Sequence, residues 1–166
     1  MNAFVDGLAQ FFVPTHLLAV GALGLLAGQG GRSLVALSLF AFGLFAGSFA
    51  IAWAVGETPS ALVLLGVAAV AGMVIAAAIS LPSMAQDMLA FVAGAALAFN
   101  APPQAITVRS AVAEQIGTSV AAFAAFAAIV LVSMHAERAW QRIALRVVGS
   151  WIAASGILAL ALRLAR

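Results

Sequence analysis

The feature of the sequence that most limits its fold is a succession of six apolar segments separated by short breaks. The segments lie near residues 11–29, 34–56, 60–80, 84–100, 112–134 and 144–164. A helix that crosses a membrane needs about 20 mainly apolar residues, and each segment is close to that length. Because the breaks are short, consecutive helices must run antiparallel. The sequence therefore predicts an all-α polytopic membrane protein, in which residues 1–166 form a single transmembrane domain, a compact bundle of six helices.

The composition excludes a water-soluble fold. Of the 166 residues, 66% are hydrophobic and only 7% are charged. A soluble domain contains about 45–50% apolar and about 25% charged residues, so this chain could not cover its apolar side chains in water. Cysteine and lysine are absent from the sequence. Their absence excludes disulfide bonds, thiolate metal sites and covalent chemistry on a lysine amine.

The distribution of polar residues limits the possible functions further. The net charge is +2, and no spread of basic side chains suits nucleic acid, so the expected partner is the lipid bilayer. The sequence holds no Ser/His/Asp or Cys/His set, no pair of carboxylates at one depth and no phosphate-binding loop. His16 and His135 belong to opposite ends of the bundle, which argues against haem held between two histidines. We expect neither an enzyme nor a permanently bound cofactor.

Arginines give the expected orientation. In a six-span arrangement one side of the membrane carries Arg32, Arg138, Arg142 and Arg146, and the other carries Arg109, Arg163 and Arg166. The positive-inside rule places the first group in the cytoplasm. Both ends of the chain are then expected on the outer side.

Glycines four residues apart indicate where helices approach each other closely. Gly24 and Gly28 form one such pair, and Gly43 and Gly47 form another. Small residues at this spacing let helix backbones come into contact in a membrane, where little hydrophobic force acts between helices. We therefore expect tight helix contacts at both pairs.

The polar residues within the apolar segments fall into two groups by depth. His16 lies near the outer end of the first segment, at the level of Asn100, Gln104 and Glu114. Asp87 lies on the inner side, on the order of 15 Å from His16 along the membrane normal. The outer cluster fits a cation site between helices one, four and five, and it also fits a set of helix-end residues in contact with headgroups and water, which is the interpretation that these residues alone favour.

Asp87 needs a partner of its own, because an isolated carboxylate is costly among apolar neighbours in a membrane. Ser80, Ser83 and Arg32 lie on the same side and are candidate hydrogen-bond or ion-pair partners. A role in an inner relay for protons or cations is the alternative. The sequence leaves both interpretations open.

Two stretches and two motifs resemble a known family. HLLAVGALGLLAGQGGRSL in the first segment and RIALRVVGSWIAASGILAL in the last are similar in order and spacing to the HupE/UreJ family of small bacterial membrane proteins. His16-Leu17-Leu18 matches the end of that family's Gly-x-Asp-His-Leu-Leu motif, with Thr15 in place of the aspartate. In its Phe-His-Gly-x-Ala-His-Gly motif, Asn100 and Gln104 stand at the two histidine positions.

The resemblance implies a function in metal uptake. The family is associated with nickel or cobalt uptake for hydrogenase and urease, which implies a secondary permease in the bacterial inner membrane. With the orientation that the arginines indicate, its termini are expected in the periplasm. Transiently bound Ni²⁺ or Co²⁺ would then contact an outer cluster of His16, Asn100, Gln104 and Glu114, and Asp87 would act as an inner relay.

The replacement of histidines by amides favours an alternative. Imidazole is a good ligand for nickel, whereas amide oxygen is a hard ligand that suits magnesium, calcium or water. The loss of two ligand histidines within a retained helical frame is typical of a non-transporting accessory or structural subunit of a larger membrane complex. A homo-oligomer is also compatible with the sequence.

Overall fold

The computed structural model of the protein describes residues 2–52 and 60–165, and in these ranges the chain forms α-helices and no strand. Seven helices follow one another in the described part: α1 Ala3–Gln10, α2 Pro14–Gln29, α3 Ser33–Ala52, α4 Ser60–Ala77, α5 Ser83–Asn100, α6 Val108–Met134 and α7 Ala139–Leu164.

The length and apolar character of these helices are those of a multi-pass membrane protein. Among the described residues, the four helices α3, α4, α6 and α7 are each long and apolar enough to cross a membrane, and α1 with α2 qualifies as a fifth, bent span. Helix α5 has 18 residues but contains Gln86, Asp87 and Asn100, which lower its apolar content. The all-helical fold is confirmed and is compatible with a membrane protein, whereas the count of six spans is not confirmed.

The first predicted segment, near residues 11–29, differs most from the structure. It contains one helix, α2, which starts at Pro14, and a separate helix, α1, precedes it. Proline is favoured in the first turn of a helix because its missing N–H is not needed there, and it disrupts a helix interior. The chain is therefore non-helical at residues 11–13, and the axes of α1 and α2 differ in direction by 68°.

The other predicted segments correspond to single helices with shifted ends. The segment predicted at 34–56 contains α3, and its residues 53–56 lie outside the described residues. Helices α6 and α7 begin four and five residues before the predicted starts at 112 and 144. Polar first turns account for these two differences, because an apolar run starts later than the helix that carries it.

The helices pack as three main groups around α2. Helix α3 lies along α5, α4 lies along α7, and α6 lies along both α1 and α2. Helix α2 also contacts α3, α4, α5 and α7, and most of its residues are buried. The aromatic rings of Phe40 and Phe126 pack in the core with centroids 4.4 Å apart. Large apolar side chains such as Phe42, Phe45 and Trp151 remain exposed on the outside, as expected for a surface that faces lipid.

Glycines allow the backbones within these groups to touch. A Cβ on Gly94 of α5 would fall on the carbonyl oxygen of Phe40 in α3, and one on Gly7 of α1 would fall on the carbonyl oxygen of Glu114 in α6. Both glycines end the same short pattern, Ala-Phe-Val-x-Gly, at residues 3–7 and 90–94. The same five-residue pattern therefore occurs twice, each time at a point where the backbones of two helices are in direct contact.

The glycine pairs that the sequence singled out lie at helix contacts. A Cβ on Gly24 would come within 2.7 Å of the Ile129 side chain, and one on Gly47 within 2.7 Å of the Ala95 carbonyl oxygen. Gly28 and Gly43 face α6 and α5 in the same way. The prediction of tight contacts at both pairs is confirmed.

Gly94→Ala tests this close packing. The added methyl group has no space against the Phe40 carbonyl, so we expect a loss of about 1–3 kcal/mol in the free energy of unfolding. The matched control is Gly66→Ala in α4, where an added Cβ meets nothing within 4 Å. Unfolding of both variants in the same detergent measures the difference. Equal stability of the two variants would contradict the close contact of α3 and α5.

Candidate functional site

His16 lies in the first turn of α2 and is buried, with 1% of its surface exposed. The break at residues 11–13 brings the carbonyl oxygen of Phe11 to 3.3 Å from His16 Nδ1. The Phe11 ring lies nearly parallel to the imidazole, with centroids 6.3 Å apart. The non-helical residues after α1 therefore position the imidazole directly.

The hydrogen bonds of His16 determine which ring nitrogen carries the proton. A carbonyl oxygen only accepts, so Nδ1–H donates to Phe11. In the neutral ring Nε2 is then an acceptor, and the amide nitrogen of Asn100 donates to it at 2.9 Å. The Asn100 oxygen in turn accepts from the hydroxyl of Ser60 at 3.4 Å. These contacts form one directed chain, which we call the His16 chain: Phe11 carbonyl, His16, Asn100 and Ser60.

The His16 chain ties three helices together at one end of the bundle. His16 is in the first turn of α2, Asn100 is the last residue of α5, and Ser60 is the first residue of α4. Each polar group in the His16 chain has the next group of the chain as its hydrogen-bond partner. Ser60 was not among the residues singled out from the sequence, although its position at the start of an apolar segment places it at the level of Asn100.

Glu114 holds the loop between α5 and α6. Its side chain is buried, and its Oε2 atom accepts hydrogen bonds from the backbone N–H groups of Gln104 at 3.1 Å and Ala105 at 3.2 Å. Gln104 therefore contacts Glu114 through its backbone, and the residue itself is exposed. Within the described residues no arginine or histidine forms an ion pair with Glu114.

Gln10, the last residue of α1, connects α1 to the same loop and to α6. Its Nε2 atom donates to the Pro102 carbonyl at 3.2 Å, and its Oε1 atom lies 3.3 Å from the hydroxyl of Thr118. Thr118 also donates to the carbonyl of Gly7 at 2.9 Å. The sequence pattern indicates no functional role for Gln10, because it does not predict helix α1.

Asp87 lies apart from these residues and is paired. It is in the second turn of α5, whereas Asn100 ends that helix, which puts about 20 Å between them along the axis. Its Oδ2 atom is 3.2 Å from Nη1 of Arg32, one of the partners considered from the sequence. Half of the Arg32 side chain is exposed, so this ion pair contributes only about 0–1 kcal/mol to stability.

The structure thus brings His16 and Asn100 together, joins Glu114 to the Gln104 backbone, and places Asp87 elsewhere. In the described part of the chain, no group of three or more His, Cys, Asp or Glu side chains is arranged to hold a metal. Nε2 of His16 becomes available to a cation only if the Asn100 amide turns over. The Asn100 oxygen would then face Nε2, and the pair would offer one nitrogen and one oxygen ligand.

No model of a known protein family, no curated protein and no solved structure matches the chain.

A double-mutant cycle on His16→Ala and Asn100→Ala tests the direct bond between these side chains. We expect a coupling energy between about 0.5 and 1.7 kcal/mol, the range measured for hydrogen bonds between membrane helices. His135→Ala with Asn100→Ala is the matched control, because His135 is exposed and bonds only within its own helix, to the Leu131 carbonyl. The free energy of unfolding in detergent gives both cycles. A coupling energy of zero for His16 and Asn100 would contradict the His16 chain.

Proposed function

We propose that the protein is a secondary permease of the HupE/UreJ type, which carries a divalent transition-metal cation such as Ni²⁺ or Co²⁺ across the bacterial inner membrane. One observation carries the proposal. The first helical segment is interrupted at residues 11–13, directly before a buried imidazole that contacts a second helix.

A non-helical break inside a membrane segment indicates a possible substrate site. Non-helical backbone at membrane depth is tolerated only where it is buried in protein or lines a cavity. Secondary transporters commonly place their substrate sites at such interrupted helices. His16, held by the carbonyl of Phe11 and placed against Asn100, occupies the corresponding position in this chain.

The charge near the interruption favours a cation. Glu114 is a buried carboxylate, and two backbone N–H groups are its hydrogen-bond donors. Since no described cationic side chain pairs with it, its negative charge attracts a cation to the outer end of the bundle. The cation would pass from Glu114 and Gln104 to His16 and Asn100.

The inner part of the route involves Asp87. This carboxylate is 18% exposed and its arginine partner is half exposed, so the ion pair is weak and can exchange with a passing cation. Asp87 would then serve as the inner relay, about 20 Å from Asn100 along α5.

The permease proposal includes six spans. Helices α1 and α2 together form the first span, α3 and α4 the second and third, and α5, α6 and α7 the rest. Helix α5 is included because its apolar face packs along α3 while Asp87 and Asn100 meet partners from other parts of the chain. The termini then lie in the periplasm.

A second candidate, a non-transporting accessory subunit of a larger membrane complex, is favoured by the His16 chain. Every hydrogen-bonding atom of the imidazole is used by protein groups, and Asp87 is paired with Arg32. Such saturated groups fix helices relative to one another. The exposed phenylalanines of α3 would then meet a partner protein.

The six-span topology predicts labelling of both chain ends from the same side. The chain has no cysteine, so single-cysteine variants carry no background. A membrane-impermeant maleimide should label Asn2→Cys and Ala165→Cys in intact cells, and Glu137→Cys, between α6 and α7, only after permeabilisation. Labelling of Asn2→Cys and Ala165→Cys from opposite sides would rule out an even number of spans.

Metal uptake tests the permease against the accessory subunit. Cells that express the protein under metal limitation should accumulate more ⁶³Ni²⁺ than cells with an empty vector. His16→Ala should lower the accumulation at least about tenfold, because mutation of even a residue that only supports a metal ligand costs about 10–100-fold, and Asp87→Asn should lower it less. His135→Ala, at an exposed histidine, is the control. Uptake equal to that of the empty vector, together with purification in complex with another protein, would favour the accessory subunit.

A further inference from the structure

The contacts between α2 and α5 are repeated when the two helices are exchanged. Asn100, the last residue of α5, donates to His16 in the first turn of α2. At the opposite end, Gln86 in the first turn of α5 lies against Gly30, directly after α2, where an added Cβ would meet the Gln86 side-chain oxygen. His16 and Gln86 are 70 residues apart in the sequence, and so are Gly30 and Asn100. The two helices are therefore antiparallel and have equivalent contacts.

Helices α3 and α6 are related in the same way. An added Cβ on Gly94 of α5 would meet the carbonyl oxygen of Phe40 in α3. A Cβ on Gly24 of α2 would come within 3.5 Å of the carbonyl oxygen of Phe126 in α6. The glycines are again 70 residues apart, and the phenylalanines are 86 residues apart. The contact of α5 with α3 thus repeats the contact of α2 with α6.

The next turn of these helices repeats with the same offsets. The hydroxyl of Ser133 in α6 donates to the carbonyl of Leu25 in α2 at 2.9 Å. The counterparts of these two residues are Gly47 in α3 and Ala95 in α5. A Cβ on Gly47 would come within 2.7 Å of the Ala95 carbonyl oxygen. Because one pair of offsets accounts for both turns, the repetition extends along the helices.

Counterparts that touch each other mark a two-fold axis. The rings of Phe40 and Phe126 pack with centroids 4.4 Å apart. A Cβ on Gly72 of α4 would be 2.7 Å from the carbonyl oxygen of Gly149 in α7, and a Cβ on Gly149 would be 3.1 Å from that of Gly72. Since the counterpart helices α2 and α5 are antiparallel, the axis is perpendicular to them. Helices α2 to α4 and α5 to α7 therefore form an inverted repeat of three helices each.

The repeat divides the centre of the bundle into two equivalent helix pairs. Backbone contacts at glycines join α2 to α6 and α5 to α3. The contacts between the two pairs lie at three levels. His16 and Asn100 form what we call the outer gate, and Gln86 and Gly30 form the inner gate. The two packed phenylalanine rings lie on the axis, and they are therefore midway between the gates.

The space between the gates is closed by apolar side chains. Val20 lies one turn from His16 on the same face of α2, and Ala90 lies one turn from Gln86 on the same face of α5. Val20 is 1% exposed and Ala90 is not exposed. A permease with this core must therefore separate its helices at one end and then at the other. Transporters built from inverted repeats do so largely by rigid-body rocking of their halves.

We propose that the α2–α6 pair rocks against the α3–α5 pair about the contact of Phe40 with Phe126, so that the outer gate and the inner gate open in turn. Gln86 then closes the inner end as His16 closes the outer end. The inference rests on the proposed permease for the cation that passes. The rocking itself can be measured without a metal.

The reactivity of two single cysteines reports the two openings. The chain has no cysteine of its own, so Val20→Cys reports the space behind the outer gate and Ala90→Cys the space behind the inner gate. In lipid nanodiscs a charged methanethiosulfonate reagent reaches both faces of the membrane. Mass spectrometry gives the rate of modification. Each cysteine should react only while its own end is open.

A tryptophan introduced at either gate holds that end open. Asn100→Trp should speed the modification of Val20→Cys about tenfold and leave Ala90→Cys slow, because overpacking destabilises the closed gate. Gly30→Trp should do the reverse, since an added side chain has no room at this position. The control is Met84→Trp, which places the same ring on the exposed surface of α5 near the inner gate and should change neither rate.

The two tryptophans together test whether the ends are coupled. If the pairs rock, both ends cannot be open at once, and adding Asn100→Trp to Gly30→Trp should lower the rate at Ala90→Cys. An unchanged rate would mean that the ends open independently and would overturn the proposal. A single tryptophan that speeds both cysteines, or neither, would also overturn it. Size-exclusion profiles establish that the variants are folded, and the single variants decide if the double variant is not.

Uptake of ⁶³Ni²⁺ by cells that express the unmodified protein separates this inference from the permease proposal. Ends that open in turn in a protein without uptake would remove the metal cargo and leave the rocking. Uptake by a protein whose ends open independently would remove the rocking and leave the permease.

Discussion

The constraint on which the rest of the structure depends is that polar groups inside a bilayer must find their partners within the protein. Water is absent there, so an unsatisfied donor or acceptor costs several kcal/mol. In an α-helix the backbone N–H and C=O groups bond to each other, which explains why the regular structure in the described part of the chain is helical. What remains are the few polar side chains and the one interruption of the first segment, at residues 11–13. These are the places inside the bundle where the protein can carry out a function, because the rest of its core is apolar.

Close backbone packing is what allows those partners to meet. Gly7 lets α1 lie against α6, and that contact brings Gln10 of α1 next to Thr118 of α6 and to the loop after α5. Without the glycine, α1 would be displaced by at least the width of a methyl group, and hydrogen bonds of about 3 Å would not survive that shift. The small residues and the polar side chains therefore depend on each other. The small residues determine the distances between helices, and the polar side chains need those distances to form their hydrogen bonds.

The sequence predicted the features that depend on local pattern. The apolar segments predicted the helices, and the glycine pairs that begin at Gly24 and Gly43 predicted helix contacts. Counting antiparallel spans predicted that His16 and Asn100 lie at the same end of the bundle. The features that were missed depend on distant parts of the chain. Helix α1 is short and contains Asp6, so its apolar content gave no sign of a helix that packs on α6. Ser60 became a partner of Asn100 only through packing, and Asp87 had several possible partners in the sequence, of which Arg32 is the one observed.

Two hydrogen-bond chains in this protein have the same order of groups, and they differ in their last member. In the His16 chain, a backbone carbonyl accepts from His16, the imidazole accepts from the Asn100 amide, and the amide oxygen accepts from the Ser60 hydroxyl. Between α3 and α6, a backbone carbonyl accepts from Ser48, and Ser48 accepts from the Gln115 amide. There the chain stops at an amide oxygen, in the place where the first continues to a hydroxyl. The first chain therefore joins α2, α4 and α5 to one another, whereas the second joins only α3 and α6.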